Sequence, residues 1–188
     1  MKRSPLLYGV IAVVILALVW VVSSYNSLVT ERQNVDTAWN NVETVYQRRF
    51  DLIPNLVSTV KGAAAFEQGT LTAVTEARTQ WQNAASRSDK VSAAGSFDGA
   101  LSRLLVTVEA YPQLKATQAF TDLMTQLEGT ENRISTERRD YNLAVREYNL
   151  TVKRFPGFIL ASMFGFEAEP GFESADGSEV APPVNFGQ

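Results

Sequence analysis

The 188-residue sequence contains neither cysteine nor histidine. The chain therefore has no disulfide, no thiolate nucleophile, no imidazole general base and no Cys or His ligand for zinc. The carboxylate-bridged di-metal sites of some helical bundles are also excluded, because they need Glu-x-x-His pairs on facing helices. The lack of cysteine leaves the redox compartment undefined.

Motifs of other enzyme classes are missing as well. The sequence has no Gly-x-Ser-x-Gly nucleophile motif, and no Gly-Lys-Ser/Thr follows Gly62 or Gly69 to form a phosphate-binding loop. Acidic residues such as Asp51, Glu131 and Asp140 are most simply read as solvated helix faces. We therefore expect no enzymatic activity, no bound metal and no cofactor.

Positive charge is limited too. The chain has 17 Lys+Arg against 20 Asp+Glu, for a net charge of −3. Several acidic residues and no basic residue follow Phe166, so the acidic excess lies in the C-terminal tail and the rest of the chain is balanced. Because nothing indicates a basic patch, we expect no nucleic-acid partner.

One long apolar run lies near the N-terminus. Leu6–Val22 contains no charge and no proline, and as a helix it would extend about 25 Å. Ser23–Tyr25 lengthen it towards the roughly 30 Å of a bilayer core. A cleaved secretory signal is the alternative, although its apolar core is usually about 7–15 residues long. We predict a cytoplasmic N-terminus and a retained transmembrane anchor within residues 1–24, so that the lipid bilayer is a partner.

Basic residues flank this run unequally. Lys2 and Arg3 precede it, whereas Arg32 is the first basic residue after it. By the positive-inside rule the N-terminus should be cytoplasmic and the main domain periplasmic or extracellular. The sequence thus predicts a single-pass protein of the inner (plasma) membrane.

Residues 25–155 carry the pattern of packed helices. A first helix, from Tyr25 to about Phe66, has a wide apolar stripe that is interrupted at Arg49. Proline inside this helix predicts a kink near Pro54, which serves either to wrap the helix round its core or to form an elbow for a partner. A second helix over 70–85 and a polar loop over 86–96 follow.

A short third helix then begins near Phe97, and a long fourth helix runs from about Leu114 to Phe155. The fourth helix has an aromatic or aliphatic residue every seven positions: Phe120, Leu127, Ile134, Tyr141, Tyr148 and Phe155. Glu131 and Arg138 interrupt its other layers, and either pair with Arg49 or an acid on a neighbouring helix or face water or another subunit. The fold class expected is all-α, with an N-terminal transmembrane helix followed by an antiparallel long-helix, four-helix bundle.

An apolar segment ends this bundle. Since the first and fourth helices are of nearly equal length, the end of the fourth should return to the membrane. Residues 156–166 are too short to span a bilayer, and either lie in its interface or cap the bundle core. The acidic tail, 167–188, is predicted to be disordered. The membrane-interface candidates are Phe155, Phe158, Ile159, Leu160, Met163, Phe164 and Phe166.

The segment Arg49–Val57 reads RFDLIPNLV and resembles the R-x-D-L-I-P-N-L-V signature of the LemA family. Further blocks that resemble the family are Ser102–Ala116, Leu127–Ile134 and Arg139–Gly157. One departure is Phe158, where the family commonly has asparagine after Phe-Pro-Gly. The resemblance implies a bacterial single-pass membrane protein with a long helical bundle. It also implies links to cell-envelope stress, to an HtpX-type membrane protease and to magnetosome-membrane formation.

Two functions from different classes are compatible with these features. The favoured one is a membrane-anchored scaffold of the cell envelope that forms a homo-oligomer and organises membrane proteins or membrane shape. The alternative is an adaptor or regulator of a membrane protease, and a hydrolase with an unrecognised carboxylate site is a third option. The candidate partner-binding residues are Arg49, Asp51, Leu52, Ile53, Pro54, Asn55 and Leu56.

Overall fold

The computed structural model describes residues 5–62 and 67–173. Within these two ranges the regular structure is entirely helical, which confirms the all-α class. The described residues form six helices: α1 Pro5–Lys61, α2 Gln68–Asn83, α3 Arg87–Val108, α4 Pro112–Lys115, α5 Gln118–Lys153 and α6 Gly157–Phe164.

The described residues divide into two compact units. Unit one consists of the described parts of Met1–Val45 and Ile134–Glu169, and unit two of the described parts of Tyr46–Arg133 and Pro170–Gln188. Helices α1 and α5 are each long enough to contribute to both units. Each unit has its own buried apolar side chains, so each is considered by itself.

In unit one, α1 and α5 run antiparallel. The ring of Trp39 packs edge-on against Tyr141, with 5.2 Å between centroids. The guanidinium carbon of Arg32 lies 5.7 Å from the ring centroid of Tyr148. In these two contacts the residue number rises along α5 as it falls along α1. The two helices therefore run in opposite directions, as the matched helix lengths predicted.

The seven-residue recurrence on the fourth helix is buried at five of its six positions, Phe120, Leu127, Ile134, Tyr141 and Tyr148. The sixth, Phe155, is instead 78% exposed. The recurrence does not extend to Phe155 because α5 ends at Lys153, so Phe155 is no longer on the side of the helix that faces the core. The helix also begins later than expected: α4 is a separate single turn, and α5 starts at Gln118.

A tight turn joins α5 to α6 in unit one. A Cβ at Gly157 would overlap the carbonyl oxygen of Thr151, so this position requires glycine. Leu160 and Ala161 are buried, whereas the opposite face of α6 is exposed. Gly165, with φ 74°, ends α6 in the left-handed conformation typical of helix C-termini.

The chain after α6 is held against unit one by a polar clamp. The Asn149 side chain donates to the Glu169 carbonyl and accepts from the Glu169 backbone N–H, both at 2.8 Å. The Glu169 carboxylate also pairs with the Arg32 guanidinium at 2.5 Å. The start of the tail predicted to be disordered is therefore bonded at Glu169, and residues 174–188 lie outside the described residues.

Unit two has an aromatic cluster at its core. Phe50 lies 4.7 Å from Phe97 in a T-shaped arrangement and 4.9 Å from Trp81. Tyr46 stacks on Trp81 at 5.8 Å. These four rings come from α1, α2 and α3, so the cluster joins three helices. Aromatic pairs of this kind each contribute about 0.5–1.5 kcal/mol beyond their burial.

The prediction of a loop over 86–96 is wrong, because α3 begins at Arg87. Ser86 caps this helix: its hydroxyl accepts from the Asp89 backbone N–H at 3.0 Å, and the Asp89 carboxylate accepts from the Ser86 N–H at 3.3 Å. Ala93 and Ala94 are buried. The small residues that resembled a loop therefore form a closely packed helix face.

Helix α1 continues without a break from Pro5 to Lys61, and includes Pro54. The predicted kink at Pro54 thus does not divide the helix. The Pro54 ring lies on the exposed side of α1, and proline leaves the Phe50 carbonyl without its usual backbone donor. The first helix ends at Lys61, before Gly62, and residues 63–66 lie outside the described residues.

Candidate functional site

The structure separates the predicted partner-binding segment into two faces of α1, both in unit two. Arg49, Ile53 and Leu56 are buried, and Leu52 lies between the two faces. Asp51, Pro54 and Asn55 are exposed. The spacing explains this division, because residues three or four apart share one face of a helix. The three exposed residues are called the DPN face below.

The buried face contains a charge. The Arg49 side chain is only 7% exposed. Its Nη1 lies 3.2 Å from an Asp98 carboxylate oxygen and 2.5 Å from a Glu131 carboxylate oxygen. The Tyr46 hydroxyl donates to the other Asp98 oxygen at 3.2 Å. One guanidinium therefore links α1 to both α3 and α5.

The Arg49 guanidinium is shared by two carboxylates. Both acids still reach solvent, with side-chain exposures of 26% for Asp98 and 53% for Glu131, which limits the cost of burying them. The Arg49 guanidinium also lies 5.9 Å from the Phe97 ring centroid, within the range of a cation–π contact. The Arg49 Nε is buried without a hydrogen bond in the described structure.

This cluster is suited to fixing helix positions. It has a permanently charged donor on α1 between acceptors on α3 and α5. Pairing of Arg49 with Glu131 was one of the sequence alternatives, and the structure selects it. Asp98 was missed, although it shares a helical face with the buried residues Ala94 and Leu101. An acid among apolar positions was the signal that could have identified it.

The DPN face offers polar groups to an external partner. Asp51 accepts a hydrogen bond from the Gln47 side-chain amide at 2.8 Å, which orients its carboxylate. Asn55 adds an amide that both donates and accepts. Pro54 lies beside them and removes one backbone donor from the ladder. That this face binds a partner stays a prediction.

The membrane-interface candidates also divide between two environments, within unit one. Leu160 is buried, and Phe166 is partly buried with its ring 6.0 Å from Tyr25. The remaining candidates are exposed: Phe155, Phe158, Ile159, Met163 and Phe164. The segment thus contributes to the core through one side only.

The apolar end of α1 is exposed along its length. The large apolar residues from Tyr8 to Val22 are exposed in the described chain, apart from the partly buried Val21. By length and composition α1 is able to cross a membrane. Among the described residues no group of three or more acidic side chains is placed to hold a metal ion.

Comparison with known proteins shows to which family the chain belongs. A family model described as the LemA family matches residues 38–186. The chain belongs to the LemA family. The match includes the R-x-D-L-I-P-N-L-V segment of α1 and helices α2 to α6, so the resemblance noted in the sequence is confirmed.

Curated relatives give the same affiliation. The magnetosome proteins MamQ 1 and MamQ 2 of Paramagnetospirillum magneticum are each 29% identical over 175 residues, covering 79% of this chain and 64% of each relative. Protein LemA of Metamycoplasma hominis is 23% identical over 131 residues, covering 69% and 60%. The chain thus spans less than two thirds of the length of these relatives. With the apolar end of α1, the matches indicate a membrane-associated helical protein of the LemA family.

Replacing Arg49 by methionine should destabilise the protein by about 2–3 kcal/mol. The substitution removes the charge that holds Asp98 and Glu131 together. The loss should lie below the 3–5 kcal/mol typical of fully buried pairs because both acids reach solvent. Urea unfolding of the full chain in mild detergent, followed by circular dichroism, measures the effect.

The exposed neighbour Arg48 provides the matched control. Arg48→Met should change the free energy of unfolding by no more than about 0.5 kcal/mol. Adding Asp98→Asn to Arg49→Met should cost less than Asp98→Asn alone, since the Arg49–Asp98 ion pair is then already absent. Equal unfolding curves for Arg49→Met and Arg48→Met would show that the cluster does not stabilise unit two.

Proposed function

We propose that this LemA family member is a membrane-anchored helical scaffold of the bacterial cell envelope, which self-associates and organises membrane proteins or membrane shape without catalysing a reaction. One observation carries the proposal: the uninterrupted helix α1 bears both the apolar run and, further along, the DPN face. The same polypeptide element is thus equipped for a bilayer at one end and for a protein partner at the other.

The Arg49 cluster supports this role physically. A helix face that binds a partner must keep a fixed orientation about the helix axis, because turning the helix by one residue position moves its side chains by about 100°. The pairing of Arg49 with Asp98 and Glu131 opposes such a rotation of α1 in unit two. The cluster therefore holds Asp51, Pro54 and Asn55 outward, and this is the behaviour a scaffold needs.

We propose a cytoplasmic N-terminus, with the helical domain on the periplasmic or extracellular side of the inner membrane. Since the chain has no cysteine, a single cysteine introduced at Ser135, which is exposed on α5, reports the side directly. In intact cells, or spheroplasts if an outer membrane is present, a membrane-impermeant maleimide should label this variant before lysis. Labelling that occurs only after lysis would show the opposite orientation, with the helical domain in the cytoplasm.

Self-association is expected to be visible in the native mass. The full chain, solubilised gently from membranes, should have the mass of two or more copies by native mass spectrometry. Dilution into excess detergent micelles serves as the control, because chance co-occupancy of a micelle disappears on dilution. A strictly monomeric species with no co-purifying protein would count decisively against the scaffold.

A second candidate function is an adaptor or regulator of a membrane protease, favoured by the exposure of Asp51, Pro54 and Asn55. The fold does not bury these three side chains, although they adjoin the buried Arg49. A face that is exposed next to a fixed core position is suited to a heterologous partner.

Two exposed asparagines on α1 make a matched test of the adaptor. Asn55→Ala should reduce crosslinked partner capture from membranes several-fold, whereas Asn41→Ala should leave it unchanged. Pro54→Ala should alter capture while the helix content by circular dichroism stays the same. An identical partner list for all three variants would exclude the DPN face as the adaptor surface, and a change confined to the native mass would assign it to self-association.

A further inference from the structure

We propose that the outward face of α6 is an interfacial lipid-binding surface, so that the chain contacts the bilayer a second time at the end of α5. The inference rests on the proposed anchoring by α1 and adds a distinct site to it. The surface, called the α6 face below, consists of the exposed apolar residues of α6, Phe158, Ile159, Met163 and Phe164, together with Phe155, which precedes the helix.

Packing among the described residues accounts for only part of the α6 face. Leu160 and Ala161 already supply the contact of α6 with the core of unit one. Phe158, Ile159 and Met163 lie on the other side of the helix, and Met163 is 68% exposed. A short helix without charge that exposes large apolar side chains together is unusual in water, where such patches mark an interaction site.

The position of α6 indicates what covers this face. The Phe164 ring lies 5.0 Å from the ring of Tyr25, in an edge-on arrangement. Tyr25 follows the apolar run by three residues, or about 4.5 Å of helix rise beyond Val22. The α6 face thus lies next to the point where α1 should emerge from the hydrocarbon, where short apolar helices lie in the interface.

A groove in unit one lies between α1 and the turn that joins α5 to α6. It has a volume of about 270 Å³ and is lined from α1 by Trp20, Ser24 and Ser27, and from the end of α5 onward by residues that include Arg154 and Phe155. Tryptophan and tyrosine favour the membrane–water boundary. The groove is lined by both polar and apolar residues, and it places Phe155 of the α6 face beside the end of the apolar run.

The charges nearby suit a lipid headgroup. Lys153 and Arg154 are exposed and directly precede the α6 face, so they lie where lipid phosphates would be expected. Glu147 also lines the groove and offsets part of this positive charge. The occupant that fits both the apolar side chains and the two cations is the interfacial region of a bilayer containing anionic lipid.

Spin labels on the cysteine-free full chain test this directly. Met163→Cys is the test site, Val14→Cys in the apolar run is the lipid reference, and Ser135→Cys on α5 is the water reference. Each variant is labelled with a nitroxide in vesicles of phosphatidylcholine with phosphatidylglycerol. The ratio of collisions with oxygen to collisions with a water-soluble nickel complex reports depth.

The Met163 label should give a ratio between the two references. Phe158→Cys on the same face is a second site in case the first label disturbs α6, and it should give the same result. A ratio equal to that of Ser135 at both sites would overturn the lipid contact while leaving the anchor intact. A water-like ratio at Val14 would instead overturn the anchor, and the lipid contact with it.

A second copy of the chain is the competing occupant of the α6 face. It would protect the label from both oxygen and nickel, and would broaden the spectrum through spin–spin coupling that disappears when unlabelled protein is added in excess. This result would overturn the proposal. High oxygen access without such broadening supports lipid.

Discussion

The antiparallel packing of α1 against α5 in unit one decides which part of the chain meets the end of the apolar run. Contacts of Trp39 with Tyr141 and of Arg32 with Tyr148 set the direction and the register together. Once this register is set, the end of α5 lies beside the residues that follow the run. The turn at Gly157, which a larger residue would obstruct, then directs α6 back against α1.

Much of this arrangement follows from periodicity in the sequence. An aromatic or aliphatic residue at every seventh position of the fourth helix must face one neighbour, because seven residues make nearly two turns. Five of these positions are buried, and Phe155 is the exception since it follows the end of α5. A repeat alone does not reveal where a helix ends, so the turn and the exposed face of α6 needed the three-dimensional structure.

The polar parts were harder to predict because their partners are distant in sequence. Arg49 stood out as a charge in an apolar stripe, but 49 residues separate it from Asp98. The start of α3 was missed for a different reason. Its first turns are small and polar and resemble a loop, whereas the reciprocal bonds of Ser86 and Asp89 make them a capped helix. At this position the local composition indicated a loop, whereas the spacing of Ser86 and Asp89 is typical of a helix N-terminus.

Two segments of unit one, the part of α1 around Tyr25 and the returning chain from α6 to Glu169, change from apolar to charged residues at corresponding positions. Along α1, the apolar run ends before Tyr25 and Arg32 follows about 10 Å later. Along the returning chain, Phe164 contacts Tyr25 and Glu169 pairs with Arg32. Direct packing between the two segments accounts for part of this alignment, because an apolar ring contacts an apolar ring and an acid pairs with a base. A planar boundary between lipid and water, near Tyr25, gives one physical reason for both.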